Sequence, residues 1–531
     1  MAPPTLSLLP AFSLRDDRGV DRAFPAGRAA IICFVKEDCP TCNVVMPVIE
    51  AFGAAFGDSV DVLVAGQTLG GNQILKQRFR LATPLLDDSR LKVSFAHDVV
   101  VVPTLILASA DGRAIRRIEG FARDEWQNLA ATVVEVTGAA APSVDWDELP
   151  EWRPGCGSLS VDPLIAERLR AEAENSPLRA RRIEIAPADD EHEFLFDQGF
   201  SDGLPLVPPT PERVLRMLAG TGRDPQEVVA VVPPNLAPAT VEKVAINAVM
   251  AGCRPEYLRV VIAALQAACT DEFNVHGVMS TTMGAAPVIV VNGPIRHTLG
   301  MNMQLGALGL GNRANATIGR ALRLVIRNLG GAKPGGTERS TMGNPMKFTQ
   351  CFAEWEERHP WDPLHVDRGF RREDSVVTVY AATSGPVLIV DQTSRTASQL
   401  AGSIGMSLEG AHHPRAHRAT DTLLVVCPEH LDTLVRDGYS KQDLKHRIQE
   451  ITSVPLRALV ADERSGVGLP AEQAAAMSAD ALDRPAPKFR SEADIHVVIA
   501  GADAGKFSAA FHGWATGAIG SVPVSRKIEE V

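Results

Sequence analysis

Two cysteines near the start of the chain, Cys39 and Cys42, have the type and spacing that thiol–disulfide exchange requires. They frame the motif CPTC, which follows an apolar run at Ala29–Val35, a predicted buried strand, and opens a predicted helix over Val44–Phe56. A helix N-terminus stabilises a thiolate, and the thiolate is the attacking species. We therefore predict Cys39, at an exposed turn, as the nucleophile and Cys42, one turn later, as the thiol that resolves the mixed disulfide.

The alternative for this motif is half of a structural zinc site. Such a site needs two more Cys or His ligands at suitable spacing. Cys33 belongs to the predicted strand, the next cysteine along the chain is Cys156, and His97 stands alone. The spacing therefore favours redox chemistry over zinc binding.

The residues before the motif are charged. Glu37 and Asp38 directly precede Cys39, and acidic neighbours disfavour a thiolate. We therefore expect the pKa of Cys39 to be raised, and the module to act as a reductant rather than as a strong oxidant.

A proline supports the redox interpretation. Pro103 lies between Val102 and Thr104 within an apolar stretch, and a cis-proline before a strand is a rare and purposeful feature. Together with CPTC, and with Pro47 five residues after Cys42, it makes residues 5–138 resemble the thioredoxin superfamily, within it the redoxins and membrane-tethered thiol reductases. The resemblance implies a thioredoxin-like fold, a redox-active disulfide between Cys39 and Cys42, and a cis-Pro103 that faces it.

The length of 531 residues indicates two or three domains, and alternating strand and helix patterns predict the α/β class throughout. We predict a thioredoxin-like domain at 1–138, a linker at 139–190 with a charged surface helix, and a large α/β domain at 191–531 with a mostly parallel or mixed sheet. The predicted helices of the large domain are 211–219, 240–251, 255–269, 313–328 and 440–450. Its predicted strands are Pro287–Asn292, Val376–Ala381, Val387–Asp391, Thr422–Val426 and His496–Ala500.

The predicted linker carries one conspicuous thiol, Cys156, between Gly155 and Gly157. Flanking glycines leave the sulfur accessible and allow a turn that directs N–H groups at it. Two interpretations remain open: a loop cysteine without a role, or a thiol that exchanges with the Cys39/Cys42 pair and passes electrons to the large domain.

Long motifs mark the large domain: FDQGFSDGLPLVPPT (196–210), TVEKVAINAVMAGCRPEYL (240–258), VNGPIR (291–296), GLGNRANATIGRALRL (309–324) and AGADAGKFSAAFHGW (500–514). They resemble a poorly characterised bacterial family found with thioredoxin-like and UGSC-type selenoprotein modules. In that comparison Cys156-Gly-Ser is similar to the start of the UGSC motif, with Cys in place of selenocysteine and Leu159 where a later Cys is expected.

Several polar residues of this domain are candidates for a site. A glycine-rich loop at Gly306–Gly311 leads into a helix, an arrangement that can bind anions. The candidate substrate- or anion-binding residues are His276, Thr281, Thr282, Asn312, Arg313, Glu354 and Lys506, with Glu354 as an acid/base candidate. Glu409, His412 and His413 have side chains that a divalent metal could use, although no defined metal motif is present.

Composition restricts the location and the partners. The net charge of −11 argues against nucleic-acid binding, and no apolar run is long enough for a membrane span. The N-terminus, with early prolines and no basic region, does not resemble a signal peptide, so we expect a cytoplasmic protein. Eight scattered cysteines do not form a disulfide framework.

These observations predict a redox enzyme with two parts. The N-terminal module would take electrons from a thiol reductant or a thioredoxin reductase-type donor and deliver them to a disulfide or small-molecule substrate, without another evident cofactor. By family analogy alone, the large domain would cleave a carbon–heteroatom bond reductively. The alternatives are a metal-dependent hydrolase or lyase with a thiol-maintenance module, and a redox-tuned binding protein. The sequence is compatible with an oligomer.

Overall fold

A computed structural model describes residues 7–186, 188–517 and 519–530, and the chain divides into two compact units, Met1–Ile183 and Glu184–Val531. The remaining positions lie outside the described residues. Residues 1–6 belong to the predicted N-terminal domain and to the N-terminal stretch that does not resemble a signal peptide. Residue 187 belongs to the predicted linker, and residues 518 and 531 belong to the predicted large domain.

Unit 1 is an α/β unit built around a mixed sheet. Its strands are β1 (Phe12–Arg15), β2 (Asp21–Phe24), β3 (Ala30–Val35), β4 (Asp61–Gly66), β5 (Leu85–Asp87), β6 (Val101–Val102), β7 (Thr104–Ala108), β8 (Ala114–Glu119), β9 (Phe121–Ala122), β10 (Trp152–Arg153) and β11 (Cys156–Gly157). Its helices are α1 (Pro40–Phe56), α2 (Leu69–Phe79), α3 (Lys92–Ala96), α4 (Arg123–Thr137) and α5 (Pro163–Ala173). The central sheet has the strand order β5-β4-β3-β7-β8.

The central strand and the helix after it position the CPTC motif. All six residues of β3 are buried, as expected for a strand covered on both faces, and it runs parallel to β4 and antiparallel to β7. Helix α1 packs apolar residues such as Val45, Ile49 and Phe52 into the same core. The motif therefore lies where a buried strand passes into a packed helix, in the mixed α/β arrangement that the thioredoxin resemblance implies.

The segment after residue 138 is packed onto this core. Trp146 and Leu149 contact the core cluster of unit 1, β10 pairs with β9, and β11 pairs with β6. The compact unit therefore extends to Ile183, whereas the sequence predicted a linker from residue 139. Proline, acidic residues and glycine gave this stretch the composition of a linker, and its strands are only two residues long, too short for a periodic signal.

Unit 2 is a larger α/β unit. Its strands are β12 (Val228–Val232), β13 (Ala237–Thr240), β14 (Ala286–Asn292), β15 (Cys351–Ala353), β16 (Val376–Val390), β17 (Thr422–Val426), β18 (Val454–Pro455), β19 (Pro485–Ala486), β20 (Ile495–Ile499), β21 (Phe507–Gly513) and β22 (Val524–Lys527). Its helices are α6 (Glu191–Asp197), α7 (Pro211–Leu218), α8 (Val241–Ala251), α9 (Leu258–Ala268), α10 (Val275–Ser280), α11 (Ile295–Thr298), α12 (Arg313–Asn328), α13 (Leu364–Asp367), α14 (Ala397–Leu408), α15 (Pro428–Arg436), α16 (Lys441–Ile451), α17 (Ala471–Ala475) and α18 (Ala479–Asp483).

A mixed seven-stranded sheet forms the centre of unit 2. Its strand order is β15-β14-β16-β21-β17-β20, with β22 paired to β16. The α/β class predicted from sequence is confirmed. The two strands predicted at Val376–Ala381 and Val387–Asp391 are one strand, β16, whose pairing with β21 shifts register between Ala382 and Val387. This irregularity interrupts the alternating pattern and made one strand resemble two.

The helices of both units are short. The two longest, α1 and α12, have 17 and 16 residues and are packed against sheets. Within the described ranges, no helix has the length and apolar character that crossing a bilayer requires.

Candidate active site around Cys39

Cys39 is the N-cap residue of α1. Its Sγ accepts a hydrogen bond from the backbone N–H of Cys42 at 3.3 Å, and the thiol form donates to the carbonyl oxygen of Val102 at 3.3 Å. The side chain is fully buried, so the prediction of an exposed turn was wrong. Residues far along the chain cover the sulfur, and local sequence patterns cannot show such cover.

Cys42 lies one turn into α1 and is also buried. Its Sγ accepts a hydrogen bond from the backbone N–H of Lys36 at 3.4 Å. Burial, together with the neighbouring Cys39, raises the pKa of the Cys42 thiol well above its ordinary value. Burial alone likewise raises the pKa of Cys33, in the middle of β3. Only one of these three thiols is therefore set up as an anion near neutral pH.

That thiol is Cys39. The hydrogen bond from the Cys42 thiol lowers the pKa of Cys39 most, and a hydrogen bond with Cys156 and the backbone N–H groups of Thr41 and Cys42 also favour the anion. Together these outweigh burial and bring the pKa to about 5.

The expectation that acidic neighbours raise this pKa was therefore wrong. Asp38 forms an ion pair with Lys36 at 3.2 Å, and Glu37 accepts a hydrogen bond from Thr68. Both carboxylates are thus engaged by partners other than the sulfur of Cys39. A stabilised thiolate favours the reduced form and makes the disulfide more oxidising, so the lowered pKa does not favour the predicted reductant.

Pro103 separates β6 from β7, and the Val102–Pro103 peptide bond is cis. The residue before it provides the carbonyl that contacts Cys39, and Pro103 accepts a backbone hydrogen bond from Gly120 at 2.8 Å. The structure therefore brings Pro103 to the CPTC motif, as the sequence resemblance implies.

Cys156 also reaches this site. It is half-buried on β11 and pairs in register with Val102, whose carbonyl oxygen accepts the hydrogen bond from the thiol of Cys39. Burial, followed by the interaction with Cys39, raises the pKa of Cys156. Of the four residues with predicted redox roles, the thiols Cys39, Cys42 and Cys156 thus lie close together, and Pro103 is next to them.

Solved structures similar to this chain cover about a quarter of it. The thioredoxin domain of a thiol-disulfide oxidoreductase from Bacteroides vulgatus matches at 16% identity over 26% of this chain and 99% of its own, with a TM-score of 0.22. StoA from Bacillus subtilis matches at 21% identity over 23% and 98%, with a TM-score of 0.21. Peroxidoxin BcpB from Mycobacterium tuberculosis matches at 16% identity over 25% and 96%, with a TM-score of 0.22.

Comparisons with models of protein families and with curated proteins give no match.

The lowered pKa of Cys39 predicts a pH-dependent thiolate signal. Because the pKa is about 5, the thiolate should dominate at pH 7 and disappear as the pH falls through 5. Absorbance at 240 nm, followed from pH 8 to pH 4, should show this transition. Cys42→Ala removes the strongest hydrogen bond to the sulfur and should move the midpoint upward. The same midpoint in Cys39→Ser would assign the signal to another group.

In unit 2, Glu354 lies in a buried polar cluster at the ends of β14 and β15. Its Oε2 accepts hydrogen bonds from Asn292 Nδ2 at 2.7 Å and from the backbone N–H of Leu364 at 2.8 Å, and its Oε1 lies 3.5 Å from His359 Nε2. Burial raises the pKa of Glu354, but the interaction with His359, the charge of Lys441 and the backbone N–H of Leu364 outweigh it, and the net pKa lies below the ordinary value. The side chains of Glu354 and His359 are both closed to solvent.

Arg296 is the centre of that cluster and was missed by the sequence analysis. Its guanidinium donates to the carbonyl oxygens of Gly293 and Glu354 and pairs with the carboxylates of Glu356 and Glu357. The motif VNGPIR contains Gly293 and Arg296. Residues of this motif therefore belong to a buried network of charged side chains.

The other predicted anion-binding residues of unit 2 have separate surroundings. Asn312 caps α12 and donates to Gly300, and Arg313 donates to Gly252. His276 and Thr282 are exposed, and Thr281 and Lys506 are half-buried. Within the described ranges, no residue is hydrogen-bonded to more than one of these six side chains. The loop at Gly306–Gly311 and the helix after it therefore do not bring the six residues into one site.

The candidate metal ligands are likewise not gathered. His412 contacts the carbonyl oxygen of Gly513 at 3.2 Å, His413 accepts from the backbone N–H of Arg415 at 3.1 Å, and Glu409 is exposed. Across residues 7–186, 188–517 and 519–530, no three Cys, His, Asp or Glu side chains form a group that could hold a metal ion.

A cavity of about 490 Å³ in unit 2 is lined by basic side chains. Arg323 and Arg327, one turn apart on α12, face it together with Lys347 and Glu338. Lys347 pairs with Glu338 at 2.7 Å, whereas Arg323 is 3.8 Å from that carboxylate. Burial lowers the pKa of Arg323 to about 10 and also lowers that of Arg327, whose Nε has no hydrogen-bond partner among the described residues.

A second activated thiol was also missed. Cys427 is the N-cap of α15, and His430 lies one turn later, with Ser508 between them in space: His430 Nδ1 is 2.7 Å from Ser508 Oγ. Burial opposes ionisation, but His430 lowers the pKa of Cys427 below its ordinary value. All three side chains are almost fully buried, and the spacing Cys-x-x-His was the available signal.

Proposed function

We propose that unit 1 is a thiol–disulfide oxidoreductase in which Cys39 attacks a substrate disulfide and Cys42 resolves the intermediate. The observation that carries this proposal is the geometry of two thiols one helical turn apart: Sγ of Cys39, the N-cap of α1, accepts a hydrogen bond from the backbone N–H of Cys42 at 3.3 Å, while Cys42 is fully buried. In keeping with this, hydrogen bonds lower the pKa of Cys39 to about 5, and burial raises that of Cys42. An attacking thiolate next to a protonated reserve thiol is what exchange requires.

The cycle conserves electrons at each step. The Cys39 thiolate attacks one sulfur of the substrate disulfide, forms a mixed disulfide and releases one thiolate. Cys42 loses its proton, attacks Sγ of Cys39 and releases the second thiolate. The substrate has gained two electrons, and the Cys39–Cys42 pair has become a disulfide that a thiol reductant or a reductase-type donor restores. A reducing compartment such as the cytoplasm would sustain this cycle.

Reduction of insulin disulfides by dithiothreitol tests this function on the full chain. The wild-type protein should shorten the delay before insulin precipitates, in proportion to its concentration. A delay equal to that of dithiothreitol alone, with correctly folded protein, would contradict the proposal.

For unit 2 we propose binding of a small anionic molecule in the cavity beside Arg323 and Arg327. Arg323 is buried and Arg327 half-buried beside this cavity, and Nε of Arg327 has no hydrogen-bond partner among the described residues, so a carboxylate or phosphate is favoured there. This is compatible with the proposal that unit 1 supplies electrons for reductive cleavage of a carbon–heteroatom bond in a small substrate. A hydrolase or lyase with a thiol-maintenance module, and a redox-tuned binding protein, are the alternative functions.

Calorimetric titration with inorganic phosphate tests the cavity. Arg327→Met removes donors to the anion while keeping an apolar stem, so phosphate affinity should fall by about 10- to 100-fold, as for a lost charged hydrogen bond. Arg313→Met, on the same helix and outside the cavity lining, is the matched control and should bind as the wild type does. Equal affinity of both variants, or loss only in Arg313→Met, would contradict this site.

A further inference from the structure

Residues Pro154–Ser158 form a short segment beside Cys39, the covering segment. Its central residues pair antiparallel with β6, Cys156 opposite Val102 and Gly157 opposite Val101. The backbone N–H of Ser158 continues the pairing by donating to the carbonyl oxygen of Val100 at 2.9 Å. An extended segment of this same unit thus lies along the edge just before Pro103, directly beside the nucleophile.

Side chains from the redox motif hold the covering segment. Thr41, inside the CPTC motif, donates from Oγ1 to the carbonyl oxygen of Pro154 at 2.6 Å. Lys36, which precedes the motif, donates to the carbonyl oxygen of Gly157 at 3.2 Å. Two residues around the reactive pair therefore make their side-chain hydrogen bonds to backbone groups on either side of Cys156.

A buried polar group anchors the far end. Gln67 donates to Ser158 Oγ at 2.6 Å and accepts from the backbone N–H of Leu159 at 3.0 Å. At the near end Gly155 permits close approach, because a Cβ there would lie 3.0 Å from the Cβ of Val101 and 3.1 Å from the carbonyl oxygen of Val102. The covering segment is a fitted part of unit 1, and this fit fixes where Cys156 lies.

The fit brings three thiols to one place. Cys156 pairs in register with Val102, the carbonyl oxygen of Val102 accepts a hydrogen bond from the thiol of Cys39, and Sγ of Cys39 accepts one from the backbone N–H of Cys42. Cys42 and Cys156 thus approach the same sulfur from different elements, one from inside α1 and one from the covering segment.

We propose that Cys156 is a second resolving thiol, which forms a disulfide with Cys39 in alternation with Cys42. The proposal rests on the proposed function of Cys39. After the Cys39 thiolate has attacked an external disulfide and released one thiolate, Cys156 loses its proton and attacks Sγ of Cys39. The Cys39–Cys156 bond forms, the mixed disulfide breaks, and the second external thiolate leaves. The two electrons come from Cys39 and Cys156, and the external disulfide is the oxidant.

The two disulfides differ in access. Cys42 is fully buried, whereas Cys156 is half-buried, so Cys156 is the more accessible of the two thiols. Exchange of the Cys39–Cys42 disulfide into a Cys39–Cys156 disulfide changes no oxidation level, because Cys156 is joined to Cys39 as Cys42 is released. This exchange replaces a disulfide to the buried Cys42 by a disulfide to the half-buried Cys156.

Trapping with an external disulfide tests the proposal on the full chain. Cys42→Ser is treated with oxidised glutathione, alkylated and mapped by mass spectrometry without reduction. We expect a Cys39–Cys156 peptide disulfide as the main product. The double variant Cys42→Ser/Cys156→Ser should instead keep glutathione on Cys39, and its adduct should be more abundant than that of Cys42→Ser by at least about tenfold.

Cys42→Ser/Cys269→Ser is the matched control, because Cys269 is a half-buried thiol in unit 2. It should give the Cys39–Cys156 product as Cys42→Ser does. A stable glutathione adduct on Cys39 with a free Cys156 would overturn the role of Cys156 and leave the proposed function intact. Absence of any reaction at Cys39 in every variant, with native circular dichroism, would overturn both proposals.

Discussion

Replacement of Cys39 by serine is expected to abolish catalysis of disulfide reduction, with a loss of at least about 10³-fold in rate. The hydroxyl of serine does not ionise near neutral pH, so no attacking anion forms. The fold should survive, because Cys39 is an N-cap residue and serine is among the preferred N-caps. The insulin assay measures the loss, and far-ultraviolet circular dichroism shows that α1 is kept.

Cys33→Ala is the matched control for this prediction. Cys33 is a buried thiol of the same unit, in β3, and its pKa is raised by burial. Its removal should leave the rate within about twofold of the wild type, at a modest cost in stability. If Cys39→Ser kept its catalytic activity and Cys33→Ala lost it, Cys39 would not be the nucleophile.

The sequence was informative where the chemistry is local. The CPTC motif, the strand before it and the helix after it are adjacent in the chain, so a strand pattern, a helix pattern and the cysteine spacing predict that Cys39 and Cys42 lie where a buried strand passes into a helix. The α/β class followed from the same alternation of patterns in both units.

Contacts between distant residues could not be predicted in this way. Cys156 reaches Cys39 only because a two-residue strand pairs with β6, and such a strand has no periodicity. The charges of Glu37 and Asp38 were visible, but not the Thr68 and Lys36 partners that engage them. The pKa of Cys39 is lowered by Cys42, Cys156 and backbone N–H groups, so its direction was predicted wrongly from the acidic neighbours in sequence alone.

The glycine-rich turns and histidine pairs of the large domain show the same limit, because the sequence does not give the tertiary partners of these residues. Asn312 and Arg313 have ligand-like chemistry in the sequence, yet their side chains bond to carbonyl oxygens of this unit. Arg323 and Arg327 were hidden within an amphipathic helix, and only the tertiary structure shows that a cavity opens beside them.

Arg296→Met is expected to destabilise the region around β14 and β15 by about 3–5 kcal/mol, the cost of breaking a buried ion pair by removing one partner. The side chain of Arg296 is only 3% exposed, and its partner Glu356 is 8% exposed. Methionine keeps the apolar stem but leaves the Glu356 carboxylate without its cation and the carbonyl oxygens of Gly293 and Glu354 without a donor.

Hydrogen exchange followed by mass spectrometry on the full chain measures this loss locally. Because each 1.36 kcal/mol corresponds to about tenfold, amides of Ala286–Asn292 and Cys351–Ala353 should exchange about 100- to 5,000-fold faster. Arg371→Met is the control, since Arg371 is 67% exposed, its partner Glu373 is 65% exposed, and its other partner Asp374 keeps an ion pair with Lys527. It should leave those amides unchanged. If the amides were equally protected in Arg296→Met and in the wild type, Arg296 would not be needed to hold the strand ends. The hydrogen bonds that Asn292 and Gly293 donate to Glu356 would then be enough to stabilise its carboxylate.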